Sequence, residues 1–390
     1  MYIKGVNLGN WLVLEKWMNP ALFEGTTAED EYYLPRQLSA DVYEARIKMH
    51  RREYITERDF ATIKKIGLNT VRIPVPYFIF GDRPPFIGCV DELDKAFAWA
   101  EKYDLQILID LHTAPLSQNG FDNGGICGVC KWSQTPHEVT FVLDVLEKLA
   151  ARYGSRKALF GITPINEPIT QPVWDNMNVQ KRYPPVDTQL AKGSGPNTLE
   201  FLYQFYSDAY DRIRKHIDED KYVVFHDAFQ LKIWKDFLCQ PKFHHIMLDT
   251  HQYLMSAESM GCKQTLDGYL HYIREHFAKD IAEVQQYVPV LCGEWCLFNS
   301  YVIGQDTKGG QTILNGMDYS KHTNKMSDED KAAVYRKLAD AQLTAWREGS
   351  GYCYWSYKLL LDTVNEPNWI GWDSWDLGKC VDMGWFPMGG

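Results

Sequence analysis

Leu159-Phe-Gly-Ile-Thr-Pro-Ile-Asn-Glu-Pro168 is a short apolar run that ends in Asn166, Glu167 and Pro168. Such runs, bounded by turn formers, read as fully covered parallel strands, and Pro168, which has no N–H to donate, stops the ladder. A carboxylate carried at the C-terminal end of such a strand stands where α/β folds place their chemistry. Taken alone, a strand-end glutamate is more often a solvated loop residue, because Glu is mostly exposed. The reading therefore depends on whether the flanking sequence repeats the pattern and supplies a partner.

The pattern repeats on both sides. Upstream, residues 2–12 alternate as a first strand, 57–66 carry apolar residues at helical spacing closed by Gly67, and 68–74 form a second strand. A helix over 92–103, a third strand over 105–112 and a helix over 139–153 follow. Downstream come a helix over 199–217, strands at 222–227 and 245–253, and a helix near 270–287. A seventh strand over 288–295, a helix over 328–347 and an eighth strand over 351–357 complete the set. Strands alternating with helices in this way predict a single (β/α)8 TIM barrel over residues 1–390, with its active residues on the C-terminal rim. The rival, an open doubly wound sheet, usually carries a glycine-rich phosphate loop, and neither a GxGxxG nor a Walker pattern is present. Surplus length falls in the βα loops 13–56, 113–138, 168–197, 297–326 and 360–390, which gather on one rim. No linker, internal repeat or composition shift marks a second domain.

Hydrophobic residues make up 45% of the chain and charged residues 24%, ordinary globular values, whereas 13 Trp and 23 Tyr exceed packing needs and suggest stacking surfaces for flat ligands. A net charge of −10 without any Lys/Arg cluster argues against nucleic acid. No run approaches the length of a membrane span. The N-terminus Met1-Tyr-Ile-Lys-Gly-Val-Asn7 enters a strand pattern directly, and nine Cys form an odd set, so the expectation is reduced thiols in a cytosolic protein. Cys127-Gly-Val-Cys130 lacks a second pair at zinc-finger spacing and reads as loop thiols; neither metal nor cofactor is expected. The oligomeric state is not written in these residues.

The polar residues at the strand ends are Arg72, Asp110, His112, Asn166, Glu167, His251, Tyr253, Glu294 and Trp355. Each has an ordinary structural reading on its own: an ion pair for Arg72, a hydrogen-bonded core histidine for His112 or His251, packing for Trp355. Polar groups at equivalent ends of six strands are not a coincidence of packing. Glu167 after strand four and Glu294 on strand seven form a carboxylate pair, the working parts of glycoside hydrolysis. One carboxyl must stay protonated to assist the leaving oxygen, and one must stay ionised to meet the oxocarbenium-like carbon. Arg72 and Tyr253 suit an ionised Glu294, Glu167 stands beside neutral Asn166, Asn166 suits the sugar 2-OH, and Trp355 offers a flat face.

The chain resembles glycoside hydrolase family 5, and within it the fungal-type exo-β-1,3-glucanases. The resemblance rests on Gly5-Val-Asn-Leu-Gly-Asn-Trp-Leu-Val-Leu-Glu15, Asn69-Thr-Val-Arg72-Ile-Pro, Asp110-Leu-His112-Thr-Ala-Pro, Ser117-Gln-Asn-Gly-Phe121-Asp-Asn, Asn166-Glu167-Pro168, His226-Asp-Ala-Phe-Gln230, His251-Gln-Tyr253, Gly293-Glu294-Trp295 and Tyr354-Trp355-Ser-Tyr-Lys358. It implies Glu167 as acid/base, Glu294 as nucleophile and retained stereochemistry. It also implies that Glu15, otherwise an ordinary loop carboxylate, binds hydroxyls of a terminal glucose together with Arg72, His112, Asn166, His251, Tyr253 and Trp355. Phe121 matches one half of an aromatic clamp on the next sugar; where the family has the second phenylalanine, this chain reads Leu254-Met255-Ser256.

The expectation is therefore a retaining exo-acting β-glucosidase or exo-β-1,3-glucanase whose partner is a β-glucoside or β-glucan oligosaccharide. The alternative within the class is a β-glucosidase for glucosides with an apolar aglycone, such as steryl, lipid or plant glycosides, which the altered clamp favours. A metal-dependent barrel hydrolase using Asp110, His112 and His251 would want ligands near strand one, where Asn7, Asn10 and Trp11 stand. A catalytically dead sugar-binding barrel would lack one of the two glutamates. Asn365-Glu366-Pro367 repeats the Asn-Glu-Pro letters, but it follows a polar stretch in a Trp-rich tail and is read as a loop rather than a strand end.

Overall fold

A computed structural model describes residues 1–306, 313–314, 317–318, 326–364, 366, 369 and 371–387. Eight parallel strands close into a barrel: β1 Ile3–Asn7, β2 Thr70–Val75, β3 Gln106–Leu111, β4 Leu159–Thr163, β5 Tyr222–His226, β6 Ile246–His251, β7 Val290–Trp295 and β8 Gly351–Tyr354. Their order around the barrel is β1-β8-β7-β6-β5-β4-β3-β2. This is the predicted (β/α)8 architecture. By its contacts the chain divides into two compact units, Leu8–Asp249 and Met1–Asn7 with Thr250–Gly390. Two residues of the Asn365–Pro367 tripeptide, Asn365 and Pro367, lie outside the described residues.

Within Leu8–Asp249, β2 is buried along its whole length, as a parallel strand covered on both faces should be. Gly161, in the middle of β4, permits close approach to β5: a Cβ there would lie 2.4 Å from the carbonyl oxygen of Tyr222. The helix Glu57–Lys65 starts in a capping box, in which Thr56 accepts from the backbone of Asp59 and Asp59 reaches back to the Thr56 N–H, and Gly67, at φ 92°, sits just past its end. The first strand is shorter than its predicted 2–12, because Asn10 turns into the left-handed region at φ 59° and its side chain accepts from the Glu15 N–H. The stretch 13–56, predicted as loop, contains the helix Ala40–Tyr54, which buries Tyr43, Ile47, His50, Arg51 and Tyr54. That face is helically spaced, but His50 and Arg51 make it read as polar. Between β5 and β6 only two short turns, Leu231–Trp234 and Lys235–Leu238, take the place of a full helix.

Within the other unit, Asn7 at the end of β1 donates to the carbonyls of Gly293, Cys353 and Tyr354, tying β1 to β7 and β8. Aromatic rings fill the space outside β7: Trp295 packs against Trp346, Tyr352 and Tyr354 at centroid distances of 5.8, 5.6 and 4.9 Å. Part of the aromatic surplus is thus core. All nine cysteines are free thiols, and burial pushes Cys130 up to about 12. Among the described residues no helix is long and apolar enough to cross a membrane.

The rim loops of Leu8–Asp249 are joined through Asp30, which is 1% exposed and accepts from the N–H groups of Cys127 (2.7 Å) and Tyr33 (3.1 Å). Burial raises its carboxyl from 3.8 to about 6, against the opposing pull of backbone hydrogen bonds from Cys127, Tyr33 and Tyr32. Because the folded value lies above the unfolded one, the folded state binds this proton more tightly. The resulting stabilisation is complete below about pH 4 and is lost as pH rises through about 6. Urea unfolding between pH 4.5 and 7.5 should show the wild type losing about 2 kcal/mol of stability relative to Asp30→Asn; parallel pH profiles for the two proteins would contradict this account.

Candidate active site

In Leu8–Asp249 the strand-end residues form one buried polar chain. Arg72, on β2, lies between two carboxylates, 3.0 Å from Asp110 on β3 and 3.8 Å from Asp249 on β6, and all three side chains are fully buried. Breaking such a buried arrangement by removing one partner costs about 3–5 kcal/mol, because the remaining charges lose their compensation. Arg72 Nη2 also donates to Asn166 Oδ1 at 2.7 Å, which fixes the Asn166 amide. Asn166 Nδ2 then faces His112 Nε2 at 3.4 Å, while His112 Nδ1 meets Asp110 Oδ2 at 2.6 Å. A donor on Nε2 and a carboxylate on Nδ1 together place the His112 proton on Nδ1.

Asn166 keeps a rung to β3 through its N–H and the Leu111 carbonyl. Glu167 follows in the left-handed region at φ 44°, an uncommon backbone for a non-glycine residue and one that re-aims the side chain after the strand. The β3 loop holds this corner. Gln118 Nε2 donates to the Asn166 carbonyl (2.8 Å), Asn119 Nδ2 to the Glu167 carbonyl (3.1 Å) and Asn123 Nδ2 to Glu167 Oε2 (2.7 Å). Glu167 is 5% exposed.

Two other predicted residues of this unit occupy its rim loops. Glu15, buried after β1, accepts from Trp17 Nε1 at 2.8 Å. Phe121 lies in an apolar cluster with Ile169 and Val179, 5.2 Å from the ring of Tyr183 and 6.5 Å from that of Phe229.

In the other unit, two predicted residues converge on a third, the carboxylate of Glu294. Tyr253 Oη donates to Glu294 Oε2 at 2.7 Å, and His251 Nδ1 lies 3.4 Å from the same oxygen. The Glu294 carbonyl accepts from Gln252 N–H at 2.9 Å, so the His251-Gln-Tyr253 segment is clamped to β7 by backbone as well as side chain. Trp355, 3% exposed, directly follows β8; its N–H donates to the Trp295 carbonyl, and its peptide bond to Ser356 is cis. Leu254, at the position of the altered clamp, is fully buried at the start of the helix Leu254–Ser259.

Three partners of the site were not singled out from sequence. Asp249 had a signal, since it stands two positions before His251 on a buried strand and so on the same face. Asn123 lies inside the Ser117–Asn123 motif, but an asparagine in a turn-rich loop looks like a turn former. Trp375, whose ring sits 5.4 Å from that of Tyr253, is supplied by the Trp-rich tail and carries no local signal.

The sequence profile of the Cellulase family, glycosyl hydrolase family 5, matches residues 39–324. Glucan 1,3-beta-glucosidase of Kluyveromyces lactis is 31% identical over 99% of this chain and 88% of its own length; glucan 1,3-beta-glucosidase 1 of Schizosaccharomyces pombe is 32% identical over the same shares. Among solved structures, rutinosidase from Aspergillus niger superposes with a TM-score of 0.72 at 20% identity, covering 99% of this chain and 98% of that one. Endoglucanase Cel5A from Thermotoga maritima gives 0.53 at 15% identity, covering 98% and 96%. These structural likenesses carry the barrel, and the family profile with the full-length relatives carries the lineage: the chain belongs to glycosyl hydrolase family 5 and is a glycoside hydrolase.

Proposed function

We propose that this protein is a retaining, exo-acting β-glucosidase that releases terminal glucose from β-1,3-linked glucan oligosaccharides. The observation that carries this reading is the different support given to two strand-end glutamates. Glu294 receives a hydroxyl donor from Tyr253 and has His251 beside the same oxygen, while Glu167 Oε2 is held by the neutral amide of Asn123. In this mechanism Glu294 attacks the anomeric carbon as Glu167 protonates the leaving oxygen, and Glu167 then deprotonates the water that releases glucose. Asn166, oriented by Arg72, has a second Nδ2 hydrogen for the sugar 2-OH; Glu15, His112 and Trp355 bind the same glucose. The glucan linkage is supported by the names of the full-length relatives. The nine free cysteines support a reducing compartment such as the cytosol.

A second reading, a glucoside with an apolar aglycone, is favoured by the partly exposed rings of Trp174, Tyr183 and Phe229 packed around Phe121. Proton NMR of fresh reactions separates the readings. Laminaribiose should be cleaved faster than the β-1,4 and β-1,6 glucobioses and faster than alkyl or steryl glucosides, with β-glucose appearing before α-glucose. First-formed α-glucose would overturn retention, and a preference for the lipid glucosides would select the second reading.

A further inference from the structure

The pairing of β3 with β4 stops before the functional residues begin. Their ladder ends at Asp110 and Thr163, and one further rung joins the Asn166 N–H to the Leu111 carbonyl. The carbonyls of His112 and Asn166 are bound instead by a side chain: Gln118 Nε2 donates to both, at 2.9 and 2.8 Å. Gln118 Oε1 accepts from the Ala114 N–H at 3.1 Å, and the Gln118 carbonyl accepts from Asn197 Nδ2 at 2.8 Å. Because a carbonyl only accepts and an N–H only donates, the Gln118 amide has a single orientation. The residue is 0% exposed, so these bonds are made away from water.

The loop is bent to deliver this side chain. Leu116 and Ser117, immediately before it, both lie in the left-handed region, at φ 62° and 56°, an uncommon backbone for non-glycine residues that persists only where the surroundings hold it. Both carbonyls belong to residues assigned to the glucose. His112 Nε2 and Asn166 Nδ2 are 3.4 Å apart, and Asn166 Oδ1 accepts from Arg72. The Asn166 carbonyl is also part of the rigid peptide plane leading to Glu167, so turning that plane changes Asn166 ψ and Glu167 φ together. With its N–H bound to Leu111 and its carbonyl to Gln118, the Asn166 main chain is held at both ends.

We infer that Gln118 is a positioning residue for the glycosidic reaction: its amide takes the place of ladder rungs at the ends of β3 and β4 and sets where the Asn166 amide meets the sugar 2-OH. It acts through Asn166 and touches no substrate itself. The inference rests on the reading in which Asn166 binds the 2-OH. Without the Gln118 amide, two buried carbonyls lose their donor, and the plane between Asn166 and Glu167 turns to find another.

The test reads the ratio of kcat/KM on an aryl β-glucoside to kcat/KM on its 2-deoxy analogue. Both are measured on one preparation, so any unfolded fraction cancels. Asn166→Ala, which deletes the contact, should lower this ratio most. Gln118→Met keeps the length of the side chain and removes the amide; it should lower the ratio about 10- to 10²-fold, the effect of a misplacement of about 1 Å. Gln118→Glu, which when protonated keeps the acceptor for Ala114 and one of the two donors, should fall between Gln118→Met and wild type. If Gln118→Met yields no folded protein, the Gln118→Glu ratio decides alone. A role confined to holding the loop would slow both substrates alike, so a ratio unchanged in the folded Gln118 variants but lowered by Asn166→Ala would overturn the inference. If Asn166→Ala itself left the ratio unchanged, the 2-OH reading would fail, a distinct result that takes the inference with it.

Discussion

Glu294→Ala should lower kcat/KM on an aryl β-D-glucoside by about 10⁴-fold or more, because removing a nucleophile removes the covalent route rather than one contact among many. The size of the loss does not by itself prove the role, since Glu294 is also the acceptor for Tyr253 and the neighbour of His251. Added azide separates the two explanations. The truncated side chain leaves space on the face of the sugar that the carboxylate would attack, so azide can form the bond to the anomeric carbon while the aryloxide departs on the other side. The product should be α-glucosyl azide, inverted relative to the substrate, and the rate should rise with azide concentration. Near-wild-type turnover without azide would refute the assignment, and a rescued product of β configuration would move the nucleophile's role to another group. Tyr253→Phe provides the control for a purely structural effect, because it removes the donor and leaves the carboxylate.

The barrel was legible in the sequence because its strands are buried along nearly their whole length. An apolar run flanked by turn formers has few other readings, and the helices between the runs carried the complementary period. The ends of strands were less legible, for local reasons. The first strand stops at Asn7, short of the predicted 12, where Asn10 adopts a left-handed backbone, and β4 stops at Thr163 although the sequence reading carried it to Glu167. The chain nevertheless remains bonded to β3 through the Asn166 N–H and the Leu111 carbonyl, one step beyond the last residues of the strand. The helix Ala40–Tyr54 was missed because a buried histidine and arginine occupy its inner face, where His50 bonds the Asn10 carbonyl and Arg51 the carbonyls of Ile87 and Gly88. At the site, residues on strand faces, such as Asp110 with His112, could be grouped by their spacing of two. The grips on Glu167 could not be grouped this way, since Asn119 and Asn123 reach it only after the β3 loop has folded over the end of β4.

Glu167→Ala should give a different signature, set by the leaving group. A glucobiose, whose departing alkoxide needs a proton, should lose about 10²- to 10⁴-fold in kcat/KM, the usual worth of general acid catalysis. A dinitrophenyl glucoside, whose leaving group departs unprotonated, should lose little in kcat/KM, because that ratio reports the first step. Its kcat should still fall, since the same residue is the base for the water that releases glucose, and the glucosyl-enzyme should accumulate as a burst of dinitrophenolate. Asn123→Ala provides a graded version of the experiment: it removes the 2.7 Å donor to Glu167 Oε2 but keeps the carboxyl, so the loss should be smaller and should shift with pH. A uniform loss across leaving groups would mean that Glu167 positions the substrate and transfers no proton. In that case the acid would have to be sought elsewhere on the rim, and the bond between Asn123 and Glu167 would be structural.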